Sequence, residues 1–205
     1  MIPAYWQEAV AELSQRDRIL KDLIQRHPDV SLKSAGDPFS TLARSIVGQQ
    51  ISIKASENVW QKLLGAVSEV NPETLMQADE ETLRVCGLSQ RKVSYLKSLA
   101  EHFQQGKLHP GNWAEMDDEA VIDDLMQVKG IGRWTAEMFL IFNMLRPDVL
   151  PLDDFGLQRA MGMHYNGGQP LSKLKIRVIS AEWQPWRSVA TWYLWRSLDP
   201  VPVEY

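Results

Sequence analysis

Apolar positions recur at helical spacing almost from one end of this chain to the other, and alternating β-branched runs are nearly absent. Residues from about 4 to 27 read as one or two amphipathic helices ending near Pro28. Asp37-Pro38 is a start signal, an N-cap carboxylate followed by proline at the first helical position. Phe39, Leu42, Ala43, Ile46 and Val47 then turn inward until Gly48. Ser52 caps the next helix, which carries Val59, Trp60, Leu63 and Leu64 to Gly65. Asn71-Pro72-Glu73 and Asp79-Glu80-Glu81 open two short helices, and Ser89 caps one running through Val93, Leu96 and Leu99 to about Gln105. Asp117 opens another, and Asp153 or Asp154, Ser172 and Pro185-Trp186 open the last three, ending near Leu198. Short helices with few linkers predict a compact all-α body, as two lobes with a cleft between them.

One stretch breaks the rhythm. Lys129-Gly130-Ile131-Gly132-Arg133 sits between the apolar periods of Val121, Ile122, Leu125, Val128 and of Ala136, Phe139, Leu140, Phe142. Each glycine costs about 1 kcal/mol inside a helix. The economical reading is helix, Gly-hinged turn, helix. The second helix then starts with bare N–H groups beside Gly132 and Arg133, a site for an anion such as phosphate. Taken alone, the hinge reads equally as a tight turn between core helices. Lys129, Arg133 and a later acid pair favour phosphate.

That pair is Asp153-Asp154, at the start of the helix carrying Phe155, Leu157 and Met161. One of the two serves as N-cap, and the other is expected to stay ionised in a partly dry cleft. An ionised acid facing an apolar pocket suits stabilisation of an oxocarbenium-like sugar and activation of water. Tryptophans add a third signal. Trp183, Trp186, Trp192 and Trp195 crowd the last quarter, where core packing accounts for at least half of them. Trp134 and Met138 lie one turn apart and can line a pocket together. Electron-rich aromatic walls favour a flat, cationic base.

Composition narrows the setting. The chain has 205 residues, 44% of them apolar, enough for a packed interior. Its longest apolar run, Met138 to Phe142, is far too short to span a bilayer, and Met1-Ile-Pro-Ala-Tyr-Trp6 has no signal-peptide character. A cytosolic protein is expected. The single cysteine, Cys86, excludes an intrachain disulfide and a multi-cysteine cluster. The four histidines (His27, His102, His109, His164) show no ligand spacing, and no cofactor or side-chain metal site is expected. A net charge of −4 is unlike the basic footprint of a phosphate binder. The acids bunch at Asp79-Glu80-Glu81 and Asp117-Asp118-Glu119, however, leaving Arg91-Lys92, Lys129, Arg133, Lys173, Lys175 and Arg177 to form a cationic face.

Gly130-Ile-Gly132-Arg-Trp134-Thr-Ala136, Leu150-Pro-Leu-Asp153-Asp154 and Trp183-Gln-Pro-Trp186-Arg-Ser188 together resemble the helix-hairpin-helix (HhH-GPD) DNA glycosylases, in their bacterial alkylpurine, 3-methyladenine type II branch. Asp37-Pro-Phe39 and Arg44-Ser-Ile-Val-Gly48-Gln49-Gln50-Ile-Ser52 match the family's early block, so the resemblance spans roughly residues 37–198. It implies an all-α fold with lobes of about 37–145 and of 1–36 plus 146–205. It also implies flipping of damaged bases out of double-stranded DNA and hydrolysis of the N-glycosidic bond, by a monomer in the bacterial cytosol and nucleoid.

On the same footing, Asp154 corresponds to the catalytic aspartate, and Trp134, Met138 and Trp195 fall at base-pocket positions. Gln50 falls where the family inserts a side chain into the gap left by the flipped base. Residues 128–135, with Lys129, Gly130, Gly132, Arg133 and Thr135 as DNA contacts, form the hairpin. Its carbonyls near Val128 and Gly130 can hold a monovalent cation in relatives. Lys129 replaces the usual hairpin proline, and Gln50 replaces the bulky wedge of the best-known relative, which implies milder distortion of the DNA. The additional N-terminal β-rich region of that relative has no counterpart here. Bifunctional members carry a lysine nucleophile where this chain has Trp134, so Schiff-base chemistry is not expected. Two other readings stay open: an idle lesion-binding protein, and a glycosylase for other damaged bases.

Overall fold

The structure is a computed structural model that describes residues 2–28, 31–34 and 36–198, all but Ile53 with their side chains. The outer limits expected for the lobes, residues 1 and 205, lie outside the described residues. Every regular element described is helical: α1 Trp6–Arg16, α2 Arg18–Arg26, α3 Pro38–Gly48, α4 Ile53–Val67, α5 Pro72–Gln77, α6 Glu80–Val85, α7 Gln90–Gln104, α8 Asp118–Met126, α9 Arg133–Phe142, α10 Phe155–Tyr165, α11 Lys173–Ser180 and α12 Arg187–Leu198, with a 3-10 turn at Ala181–Trp183. The all-α expectation holds. None of these helices is long and apolar enough to cross a membrane. The described residues divide into two compact units, one from 2–34 with 140–198 and the other from 36–139.

The first unit is organised around α12, whose residues Ser188 to Leu194 are all buried. It packs against α1, α2 and α10, with Trp6 edge-on to Trp192 at 5.5 Å. The amphipathic stretch at the N-terminus is two helices because Asp17 leaves helical geometry and accepts the N–H groups of Ile19 and Leu20. The same carboxylate takes the Tyr165 hydroxyl at 2.6 Å and the Trp183 indole N–H at 3.0 Å, fastening α10 and the 3-10 turn to that break. Burial, reinforced by Asp17, pushes the Tyr165 phenol above its ordinary range. The last helix starts at Arg187, later than Pro185-Trp186 suggested, because Trp186 N–H closes a turn onto the Trp183 carbonyl at 2.7 Å.

In the second unit α7 lies against α3, α5 and α6. The expected starts are made by side-chain caps: Asp37 to Ser40 N–H, Ser52 to Ala55, Asp79 to Thr82, Ser89 to Lys92 and Asp117 to Ala120, with a reciprocal capping box between Asn71 and Thr74. Helix α4 runs past Gly65 to Val67. It ends where Ser68 takes φ +62, a stronger break than a glycine held in helical conformation.

Phe39, Phe103, Trp113 and Phe139 form an edge-to-face row through this unit, with centroids 5.0, 6.4 and 5.2 Å apart. Beside it the buried Asp124 accepts the Trp113 indole N–H at 2.6 Å, the His109 backbone N–H at 3.1 Å and the Gln127 amide at 3.2 Å. The loop before α8 is thereby pinned to that helix just ahead of the glycine turn. Asp124→Ala strands a buried indole N–H and is expected to lower stability by about 2–3 kcal/mol, read from the denaturant midpoint. Asp123→Ala, at an exposed neighbour, leaves the midpoint in place. Equal effects of the two would refute the role of Asp124.

Candidate active site and nucleic-acid interface

Between α8 and α9 the apolar side chains Val128 and Ile131 turn inward, and Ile131 N–H closes the turn onto the Val128 carbonyl at 3.1 Å. Gly130 has φ +93, and a Cβ placed there would lie 2.2 Å from the Tyr95 ring. The ring occupies the place of the missing side chain. Lys129 N–H reaches Ser98 Oγ at 3.3 Å, and the Gly130 carbonyl accepts the Gln49 side-chain amide at 2.9 Å. The Gly132 carbonyl takes the first bond of α9, from Ala136 N–H at 3.0 Å. Gly132 differs from Gly130, since a Cβ on it would meet nothing within 4 Å. No described residue requires glycine there. It lies beside first-turn N–H groups that helix geometry leaves without intrahelical acceptors. Thr135, expected as a DNA contact, is buried. The Val128 carbonyl accepts Ile131 N–H and the Gly130 carbonyl accepts the Gln49 amide, and each oxygen has a second lone pair, the kind of hard donor that a monovalent cation takes.

The cations around this turn sort into two kinds. Lys129 is exposed and lines an open groove with Arg91, Ser89 and Tyr95. Lys92 is half-buried and donates to the Val47 carbonyl at 2.6 Å, and burial lowers its pKa. Arg133, expected as a phosphate ligand, is instead paired with two carboxylates. Glu119 on α8 holds it bidentately at 2.8 and 2.5 Å, and Glu137, one turn further along α9, at 3.2 Å. The hydrogen bond from Arg133 holds the Glu119 carboxyl below its ordinary range. Gln50 is exposed on the loop between α3 and α4, with φ +59. Trp134 is 38% exposed at the start of α9, and Met138, one turn on, is buried.

In the other unit the acid pair is divided differently from the expected scheme. The residue that caps α10 is Asp154, the candidate catalytic acid itself, whose Oδ1 accepts Leu157 N–H at 2.6 Å. Asp153 points outward, exposed and paired with Lys173. The reason is tertiary. Trp195 donates its indole N–H to the same Oδ1 at 2.7 Å, while its ring stacks on Phe142 at 5.7 Å. Two donors on one oxygen fix the rotamer of a carboxylate that is only 9% exposed. Trp195, expected as a pocket wall, is therefore also the group that orients the acid. Trp183, Trp186 and Trp192 are buried in the core, as expected for at least half of this cluster.

The site residues thus comprise a buried carboxylate held by two donors in one unit and a glycine turn at a helix start in the other. The family described as "HhH-GPD superfamily base excision DNA repair protein" matches residues 43–185. The chain belongs to this superfamily. It is 34% identical over 186 residues to DNA-3-methyladenine glycosylase 1 of Schizosaccharomyces pombe, covering 88% of this chain and 80% of that protein. Among solved structures it is similar to a DNA-3-methyladenine glycosidase from Bacillus halodurans, with TM-score 0.85, 35% identity and coverage of 93% and 89% of the two chains. It is also similar to the S. pombe 3-methyladenine DNA glycosylase in complex with abasic DNA, with TM-score 0.81, 31% identity and coverage of 97% and 98%.

The two glycines are expected to separate in their effects. Gly130→Ala must displace Tyr95 and adopt a left-handed backbone, so it loses more than about 1 kcal/mol of stability. Gly132→Val leaves thermal unfolding nearly unchanged but weakens binding to damaged and undamaged duplex alike. Duplex affinity unaltered in a folded Gly132→Val variant would show that this turn does not meet the backbone of DNA.

Proposed function

We propose that the chain is a monofunctional DNA glycosylase that removes alkylated purines, of the 3-methyladenine and 7-methylguanine kind, from duplex DNA in base excision repair. The observation that carries this reading is the Asp154 carboxylate, buried at the N-terminus of α10 and fixed by Leu157 N–H and the Trp195 indole. The relatives named as 3-methyladenine glycosylases, one of them complexed with abasic DNA, support the substrate class and the product.

In this reading the first-turn N–H groups of α9 grip the phosphates, and Lys129 and Arg91 add charge beside them. A monovalent cation on the Val128 and Gly130 carbonyls would add positive charge near the same phosphates. Gln50 fills the gap left by the extruded nucleotide, and Trp134, Met138 and Trp195 receive the base. N3- or N7-alkylation makes the purine a cation, stabilised by aromatic faces and already a good leaving group. As the C1′–N bond breaks, its electron pair returns to the base and positive charge grows on the sugar. Asp154 stabilises that charge and orients a water, whose oxygen bonds to C1′ as its proton passes to the carboxylate. The products are an abasic site and a neutral free base. The protein acts as a monomer in the cytosol.

Asp154→Asn keeps a competent N-cap, because asparagine caps as well as aspartate. It is expected to lose at least about 100-fold in base release while retaining lesion binding, whereas Asp153→Asn, at an exposed ion pair, changes little. Near-normal release from Asp154→Asn sinks the assignment. A native protein that binds lesions and releases nothing supports an idle binder.

With Trp134 where a lysine nucleophile stands in bifunctional relatives, borohydride is expected to trap no covalent protein–DNA adduct, and strands break only after alkali or heat. Efficient trapping of the native protein would overturn the monofunctional reading.

A further inference from the structure

The two parts of the second unit assigned to DNA, the Gln50 loop and the glycine turn, are far apart in sequence but tied to one scaffold. Three residues on α7, spaced by three and therefore on one face, reach both. Lys92 Nζ donates to the Val47 carbonyl at the end of α3, just ahead of the loop. The Tyr95 ring lies on Gly130, and Ser98 Oγ accepts Lys129 N–H. Gln49 closes the circuit by donating its amide to the Gly130 carbonyl at 2.9 Å across 81 residues of sequence. Its neighbour Gln50 has φ +59, a conformation that non-glycine residues hold only when their surroundings impose it. The backbone of the loop is bound on its α3 side by Lys92 and on its turn side by Gln49. The exposed Gln50 follows directly on that pair of anchors.

We infer that Gln49 is a positioning residue: its hydrogen bond to the Gly130 carbonyl sets the reach of Gln50 relative to the phosphate-gripping turn, and so acts on base extrusion and not on DNA affinity. The inference rests on the reading of Gln50 as the inserted side chain. The geometry favours it over simple support of the fold, because the amide joins the two DNA-facing segments directly, where the burial of Val128 and Ile131 already holds the turn.

The test uses a duplex with 2-aminopurine beside the lesion, whose fluorescence reports unstacking, together with single-turnover base release. Gln49→Met keeps the length of the side chain and removes its donor. It is expected to reduce the extrusion signal and the single-turnover rate by about three- to ten-fold, the worth of one hydrogen bond. Affinity for undamaged duplex and the thermal midpoint stay at native values. In a Gln50→Ala background the same substitution has no further effect, since the side chain it positions is gone. Gln49→Leu, uncharged and without a donor, gives the same pattern should the methionine variant fold poorly. A Gln49 variant with native extrusion, or one that loses as much in the Gln50→Ala background as outside it, overturns the inference. Failure of the underlying reading looks different: Gln50→Ala itself then leaves extrusion unchanged, and the inference falls with it.

Discussion

The Tyr95 ring stands where any side chain at residue 130 would have to be. This exclusion of a single Cβ lets the turn between α8 and α9 fold against α7 at the closest approach a backbone allows. The rest of the turn takes its orientation from that contact. Val128 and Ile131 go inward, Lys129 goes out, the Gly130 carbonyl meets Gln49, and α9 starts at Arg133 with Gly132 bare beside its first N–H groups. The two glycines of the motif thus do opposite things. One accommodates the protein's own packing, and a Cβ on the other would meet no described atom within 4 Å, the space that the proposed grip on a phosphate would use.

A similar economy holds at the acid. An N-cap stabilises a helix by about 1 kcal/mol, and here the capping carboxylate is also the proposed catalytic group. Fold and site share one interaction, so the proposed chemistry carries no separate burden of an uncompensated buried charge. The bonds from Leu157 N–H and the Trp195 indole that hold the helix start are those that hold the rotamer. Trp195 in turn rests on Phe142, which ties the orientation of the acid to the packing of aromatic rings.

Local chemistry was legible in the sequence, and partnership across the chain was not. Asp37, Ser52, Asn71, Asp79, Ser89, Asp117 and Ser172 all cap where they were expected to, because an N-cap involves only its own next three residues. The choice between Asp153 and Asp154 could not be read the same way. Both are good caps by type, and a tryptophan 41 residues from Asp154 marks it as the oriented acid. The pairing of Arg133 with Glu119 has no local signature either, because it depends on how α8 and α9 fold back on each other. The Gln49 bond to Gly130 has no sequence signature at all. The roles of Asp154, Gln50 and the pocket aromatics came from motif resemblance, since no spacing rule alone distinguishes a catalytic aspartate from a capping one.

The charge of the chain then takes on a definite meaning. With a net charge of −4 and Arg133 paired to Glu119 and Glu137, Lys129 and Arg91 are the cations named beside the turn, and the proposed grip rests mainly on backbone N–H groups. Backbone N–H groups at a helix start are dipoles, and they hold a phosphate without adding a full charge of their own. Under the proposed function, a protein built this way gains less from counterion release than a basic one, and its hold on undamaged duplex is expected to be modest. In the proposed reading that weakness is useful. Little binding energy is committed to phosphates common to all DNA, so discrimination falls to the step at which a base leaves the stack, where a cationic, poorly paired purine gains most from aromatic walls and a buried carboxylate.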